Sequence, residues 1–117
     1  MVYKRKLSGS TDGMGIKVVA TATPGTALHT AVAGVVAGTF DEIWLYAYNS
    51  DTVSRVLTIE FGDATTPDHN IVITLAPQSG LQLIVPGLIL QNAGTVKAFC
   101  DAANKVTLSG FVNTMTD

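Results

Sequence analysis

Phe40-Asp41-Glu42-Ile43-Trp44-Leu45-Tyr46-Ala47-Tyr48 is the stretch that decides how this chain folds. It alternates at a period of two, which is the signature of a β-strand. Phe40, Glu42, Trp44, Tyr46 and Tyr48 share one face; Asp41, Ile43, Leu45 and Ala47 share the other. Pointing out, the Trp44, Tyr46 and Tyr48 face would be a contact surface, and pointing in it would be core; Trp44 is assigned to the core, with Tyr46 and Tyr48 divided between core and subunit interface. Asn49-Ser50-Asp51 has turn chemistry. Residues 53–61 then alternate again, with Val53, Arg55, Leu57, Ile59 and Phe61 against Ser54, Val56, Thr58 and Glu60. Two alternating runs joined by a short polar turn predict an antiparallel hairpin.

Working outward from this pair, the same signals recur. Toward the C-terminus, a loop over 62–70 precedes short strands over 71–75, 81–85, 88–91, 95–100 and 105–112. Turn residues such as Pro77-Gln78-Ser79-Gly80, Pro86-Gly87 and Asn92-Ala93-Gly94 separate them. Toward the N-terminus, strands are predicted over 16–23 and within 26–33, parted by Pro24-Gly25. Short strands at spacings of roughly 8–12 residues point to an all-β, single-domain β-sandwich, jelly-roll-like in architecture. Nothing reads as a long amphipathic helix. The domain is assigned to residues 14–117. Residues 1–13, with Lys4-Arg5-Lys6 and the run Ser8-Gly9-Ser10-Thr11-Asp12-Gly13, read as a short flexible N-terminal arm that orders on docking.

At 117 residues the chain can bury one real core without metal or disulfide staples. Charged residues make up 14% of it, against an average of about 25%. Thr, Ser, Asn and Gly supply the polar surface instead, which suits packing against copies or a partner. Residues 1–13 carry a net charge of +2 and the remainder −4. An acidic body repels phosphates, so no direct nucleic-acid contact is expected. Cys100 is the only cysteine, which rules out an intrachain disulfide and fits folding in a reducing cytoplasm. The basic start is not followed by an apolar signal-peptide region, and no apolar run is long enough to span a membrane.

Catalytic groups are scarce. The histidines are His29 and His69, and neither stands in a recognisable arrangement with Cys100 or a serine. Asp63, Asp68, His69 and Asn70 offer ligand atoms without zinc or EF-hand spacing. No phosphate-cradling glycine motif occurs. The reading is a non-enzymatic protein that needs no cofactor and no metal.

A resemblance sharpens this reading. Thr23-Pro24-Gly25, Leu28-His29-Thr30-Ala31 and the run from Phe40 to Asn49 resemble a family of small tailed-bacteriophage proteins. The likeness continues through Leu57-Thr58-Ile59-Glu60-Phe61-Gly62, Pro77-Gln78-Ser79-Gly80-Leu81, Val85-Pro86-Gly87-Leu88 and Val96-Lys97-Ala98-Phe99. It spans approximately residues 20–113 and includes no catalytic signature. It implies a virion structural protein made in the host bacterial cytoplasm, foremost a capsid decoration or cement protein that binds and stabilises the shell. A neck or tail accessory protein, or a carbohydrate- or receptor-binding module of the virion, is the alternative. Expected partners are the major capsid protein or other virion proteins, together with further copies in a trimer or dimer; the trimer preference comes from the resemblance. Candidate interface residues are Tyr3, Lys4, Arg5, Lys6 and Leu7 on the arm, Tyr46 and Tyr48 on the deciding strand, and Pro86 and Leu88 in the charge-free stretch over 81–90.

Overall fold

Alternation at period two runs through most of the chain, and strands are the result. A computed structural model describes all 117 residues and contains nine strands and no helix. They are β1 (Val2–Lys6), β2 (Ile16–Lys17), β3 (Thr26–Thr30), β4 (Phe40–Asn49), β5 (Arg55–Gly62), β6 (Asn70–Leu75), β7 (Gln82–Leu90), β8 (Thr95–Cys100) and β9 (Val106–Met115). Two antiparallel sheets pack as a β-sandwich. One has the order β1-β9-β4-β7, with β2 also paired to β9; the other has the order β3-β8-β5-β6. The core between them is aliphatic. Leu7, Ile43, Leu45, Leu57, Ile59, Val85, Val96 and Leu108 are fully or almost fully buried there, with Cys100 beside them. Burial pushes the Cys100 thiol pKa up.

The predicted hairpin does not form. β4 lies between β9 and β7, whereas β5 lies between β8 and β6 in the opposite sheet. The chain crosses the sandwich at residues 50–54 instead of turning back on itself. Asn49 holds that corner. Its buried side chain donates from Nδ2 to the carbonyls of Val53 (3.0 Å) and Leu75 (3.1 Å), and its Oδ1 accepts from the Asp51 amide (2.9 Å). The partner at Leu75 is remote in sequence, so local turn chemistry did not reveal it.

Trp44 is not in the core either. The buried positions of β4 are Asp41, Ile43, Leu45, Ala47 and Asn49, and the aromatic face points outward, half-buried. The strands predicted over 81–85 and 88–91 are one strand, β7, passing through Pro86-Gly87 with register shifts against β4. Pro86 is tolerated because β7 is an edge strand, where a missing N–H breaks no second ladder.

The N-terminal residues are not a free arm. β1 pairs along its whole length with β9, from Val2 opposite Met115 to Lys6 opposite Phe111. Leu7 is 1% exposed and belongs to the core. The loop that follows is tied down as well. The Gly9 amide donates to the Leu28 carbonyl, and a Cβ at Gly9 would lie 2.8 Å from that oxygen. Three consecutive basic side chains give this strand no apolar alternation, although charge is common on edge strands.

A candidate interaction face and the polar network behind it

The candidate site is a face of the sandwich. It is built on the outer side of β4 and β9, the two central strands of the five-stranded sheet. Cross-strand register sets Phe40 opposite Met115, Glu42 opposite Asn113, Trp44 opposite Phe111, Tyr46 opposite Ser109 and Tyr48 opposite Thr107. Trp44 and Phe111 stack with centroids 6.1 Å apart and planes 12° apart. The Lys4 ammonium lies 4.5 Å from the Phe111 centroid on the other side of the pair. Such stacked pairs contribute about 0.5–1.5 kcal/mol beyond area burial, and an exposed cation over a ring about 0.5–1.

Polar contacts fix the indole. Trp44 Nε1 donates to Glu42 Oε1 (2.7 Å), and Asn113 Nδ2 donates to the same oxygen (3.0 Å). Those two bonds, from Trp44 first and then Asn113, hold the Glu42 carboxyl below its usual range. The bulge on β7 makes room for the ring. Gly87 has φ +81°, and a Cβ there would lie 3.0 Å from Trp44 Cζ2. Only glycine meets both demands.

Of the sequence-predicted interface residues, the structure brings Lys4, Lys6, Tyr46, Tyr48 and Pro86 to this sheet's outer side or its rim. Leu88 and Tyr3 are exposed on the edge strands β7 and β1. Leu7 is core, and Arg5 points into a polar network on the inner side of the sheet while 38% of its side chain stays exposed. Trp44 and Phe111 are central to the face, and the sequence reading had assigned neither to it. Their signal was the register of β4 against β9, which a single sequence does not display.

The inner network centres on Asp41, which has no exposed surface. Arg5 Nη2 donates to both carboxylate oxygens, at 3.2 and 3.1 Å, and Arg5 Nε donates to Thr114 Oγ1 at 2.8 Å. The Thr114 hydroxyl in turn donates a hydrogen bond to Asp41 Oδ1 at 2.7 Å. The Val32 amide donates to Oδ2 at 3.2 Å. His29 is buried beside it, with Nε2 2.6 Å from Asp41 Oδ2. The Ser8 amide donates to His29 Nδ1 at 3.0 Å, so the ring proton sits on Nε2 and is donated to Asp41. Both ring nitrogens are therefore engaged, and Ser8 meets the ring through its backbone, since its Oγ accepts from the Thr30 amide. The network joins β1, β3, β4 and β9, and so ties the two sheets together.

A second His–Asp contact lies in the exposed loop 63–69, where His69 Nδ1 meets Asp63 Oδ1. The Thr65 amide first, and then His69, lower the Asp63 pKa to about 2. No group of three or more His, Cys, Asp or Glu side chains converges anywhere in the chain.

Acid should destabilise the fold, and the sign follows from these carboxyls. Burial raises the Asp41 pKa, but the hydrogen bonds from Thr114 and His29 and the charge of Arg5 outweigh it, and the net direction is down. Glu42, Asp51 and Asp63 are also lowered. A carboxyl with a lowered folded pKa contributes stability that is complete above its unfolded pKa, about 4. That stability is lost as pH falls through the folded value. The melting temperature should change little from neutral pH down to about 5 and then fall steadily toward about pH 2. Asp41 should dominate because it is buried, whereas solvent screens the exposed groups. Thermal melts across this range check it; a flat profile down to pH 2 would contradict it.

Compared with protein-family models, curated proteins and solved structures, the chain matches none. What the fold and the face define is a class, an all-β sandwich with an outward aromatic sheet face.

Proposed function

We propose that this chain is a structural protein of a tailed-phage virion, a decoration or cement subunit that docks on the capsid shell. The observation that carries the reading is the outer face of β4 and β9. Trp44, Tyr46, Tyr48 and Phe111 lie half-buried there, on a body in which only 12 of the 104 residues after Gly13 are charged. Aromatic residues on a charge-poor surface are the composition of protein-interface centres. The sequence resemblance over residues 20–113 supports the virion setting. The strand orders support a jelly roll, because β1, β9, β4 and β7 face β3, β8, β5 and β6, and most connections cross between the sheets. That fold recurs in viral capsid domains.

Copy number tests the placement. Quantitative mass spectrometry of purified particles should find the chain at a level comparable with the shell subunit. A handful of copies per particle would move it to the neck or tail. Replacing Tyr46 and Tyr48 together with alanine should weaken shell binding roughly tenfold or more while leaving the fold intact. Unchanged binding would remove the face from the docking surface.

A second reading is favoured by one observation. Trp44, Tyr46 and Tyr48 point outward beside Glu42, Asn113 and Lys4, and aromatic rings with polar neighbours also suit a sugar. Jelly rolls also serve as lectins. Glycan-array binding that is lost on Trp44→Ala, without any shell binding, would favour this reading.

A further inference from the structure

A two-sheet sandwich has four outer strands, here β1, β7, β3 and β6. Three of them are closed to strand addition by devices that can be named. β1 carries Lys4, Arg5 and Lys6. β7 contains Pro86 and has two register shifts against β4. β3 has a register shift at Leu28, and its outer backbone is already occupied: the Gly9 amide takes the Leu28 carbonyl, and Ser8 Oγ takes the Thr30 amide. Charge, proline, bulges and covering loops are the usual means of blunting an edge.

β6 has none of these. Asn70-Ile71-Val72-Ile73-Thr74-Leu75 is uncharged, lacks proline and glycine, and pairs with β5 in unbroken register. The direction of its free groups follows from the ladder. The Phe61 amide donates to the His69 carbonyl (2.9 Å), so the hydrogen-bonded pairs beyond it are Ile59–Ile71, Leu57–Ile73 and Arg55–Leu75. By alternation the N–H and C=O groups of Val72 and Thr74 point away from β5. No loop or side chain bonds to them. Val72 is 62% exposed.

We propose that β6 is where two copies of this chain join. The two β6 strands pair antiparallel about a two-fold axis at Ile73, and the four-stranded sheets fuse into one continuous sheet. Val72 of each copy exchanges both backbone hydrogen bonds with Thr74 of the other, Ile73 faces itself, and Ile71 faces Leu75. The strand is thus complementary to its own copy, which is the requirement of an isologous contact. Charge also selects a copy as the occupant. Residues 70–96 contain no charged side chain and no histidine, and they include both β6 and β7, the two edges on this side of the sandwich. A second copy brings no like charge against them, and a charged foreign strand would find no counter-charge. Exposed Leu81 and Leu83, at the start of β7, lie on the same neutral side. The inference stands apart from the virion reading, because it concerns the free chain.

Light scattering and sedimentation of the full chain should give a particle of twice 12.2 kDa. Hydrogen exchange should show the Val72 and Thr74 amides protected in the dimer and released on dilution. Val72→Lys should convert the dimer to monomer without changing the circular dichroism spectrum. Val2→Lys, at an exposed position on the β1 edge of the other sheet, should leave the dimer intact. A monomer at every concentration up to millimolar, a trimer, or a dimer in which both amides exchange freely would overturn the proposal. If Val72→Lys fails to fold, exchange on the unaltered chain decides alone.

Discussion

Replacing Asp41 with alanine should destabilise the protein by about 3–5 kcal/mol, the cost of removing one partner from a buried ion pair. The substitution leaves the His29 Nε2–H, the Thr114 hydroxyl and the Val32 amide without their acceptor, and strands part of the Arg5 guanidinium beside them. Each buried group left unsatisfied costs about 1–3 kcal/mol, and few domains of this size hold more than about 5–15 in total. Asp41→Asn should be milder but still harmful. Its amide nitrogen would face one of the donors that Asp41 now satisfies, and His29 cannot switch tautomer without losing the Ser8 amide. Urea unfolding should show a lower midpoint with an unchanged slope. Because the groups act as one network, Asp41→Ala combined with His29→Ala should cost less than the two separately. A loss below about 1 kcal/mol for Asp41→Ala would show that the network contributes little.

The sequence displayed the strands more clearly than their places. Residues 40–48 announced two faces, but both are apolar, so alternation alone could not say which was inside. The sandwich buries the smaller aliphatic set, Ile43, Leu45 and Ala47, where side chains from two sheets must interdigitate across about 10 Å. The rings stay outside and cover one another. Asp41 carried an unused signal: an acid in phase with Ile43, Leu45 and Ala47 must be buried and must find a partner. Its partners, Arg5, His29 and Thr114, come from three other strands, which no local pattern links. Glu60 was equally opaque. It reads as the polar side of β5, yet it is 2% exposed because the Thr23-Pro24-Gly25 segment folds over it, with the Gly25 amide donating to its carboxylate at 2.7 Å. The hairpin expectation failed on similar grounds. A short polar turn serves a crossing between sheets as well as a reversal within one, and the deciding contact is Asn49 on Leu75.

Deleting residues 2–7 should unfold the domain or leave it without cooperative melting at room temperature. The deletion removes every pairing of β1 with the Phe111–Met115 half of β9. It removes the Leu7 side chain from the core, and the loss of a buried leucine alone costs about 2–5 kcal/mol. It also takes Arg5 from Asp41 and leaves the carboxylate buried with one fewer counter-charge. Together these terms reach the whole stability of a typical domain of this length. The exposed edge of β9 would carry Phe111 and Val112 with no basic residues alongside, which makes aggregation the expected fate of the truncated chain. Soluble yield, far-ultraviolet dichroism and thermal melting measure the loss. A synthetic peptide of residues 1–13 added in trans should restore part of the folded signal, because a missing edge strand can be supplied from outside. A truncated chain that still melts cooperatively within a few degrees of the full one would show that β1 adds nothing essential and that the N-terminal residues are free to reach a neighbour.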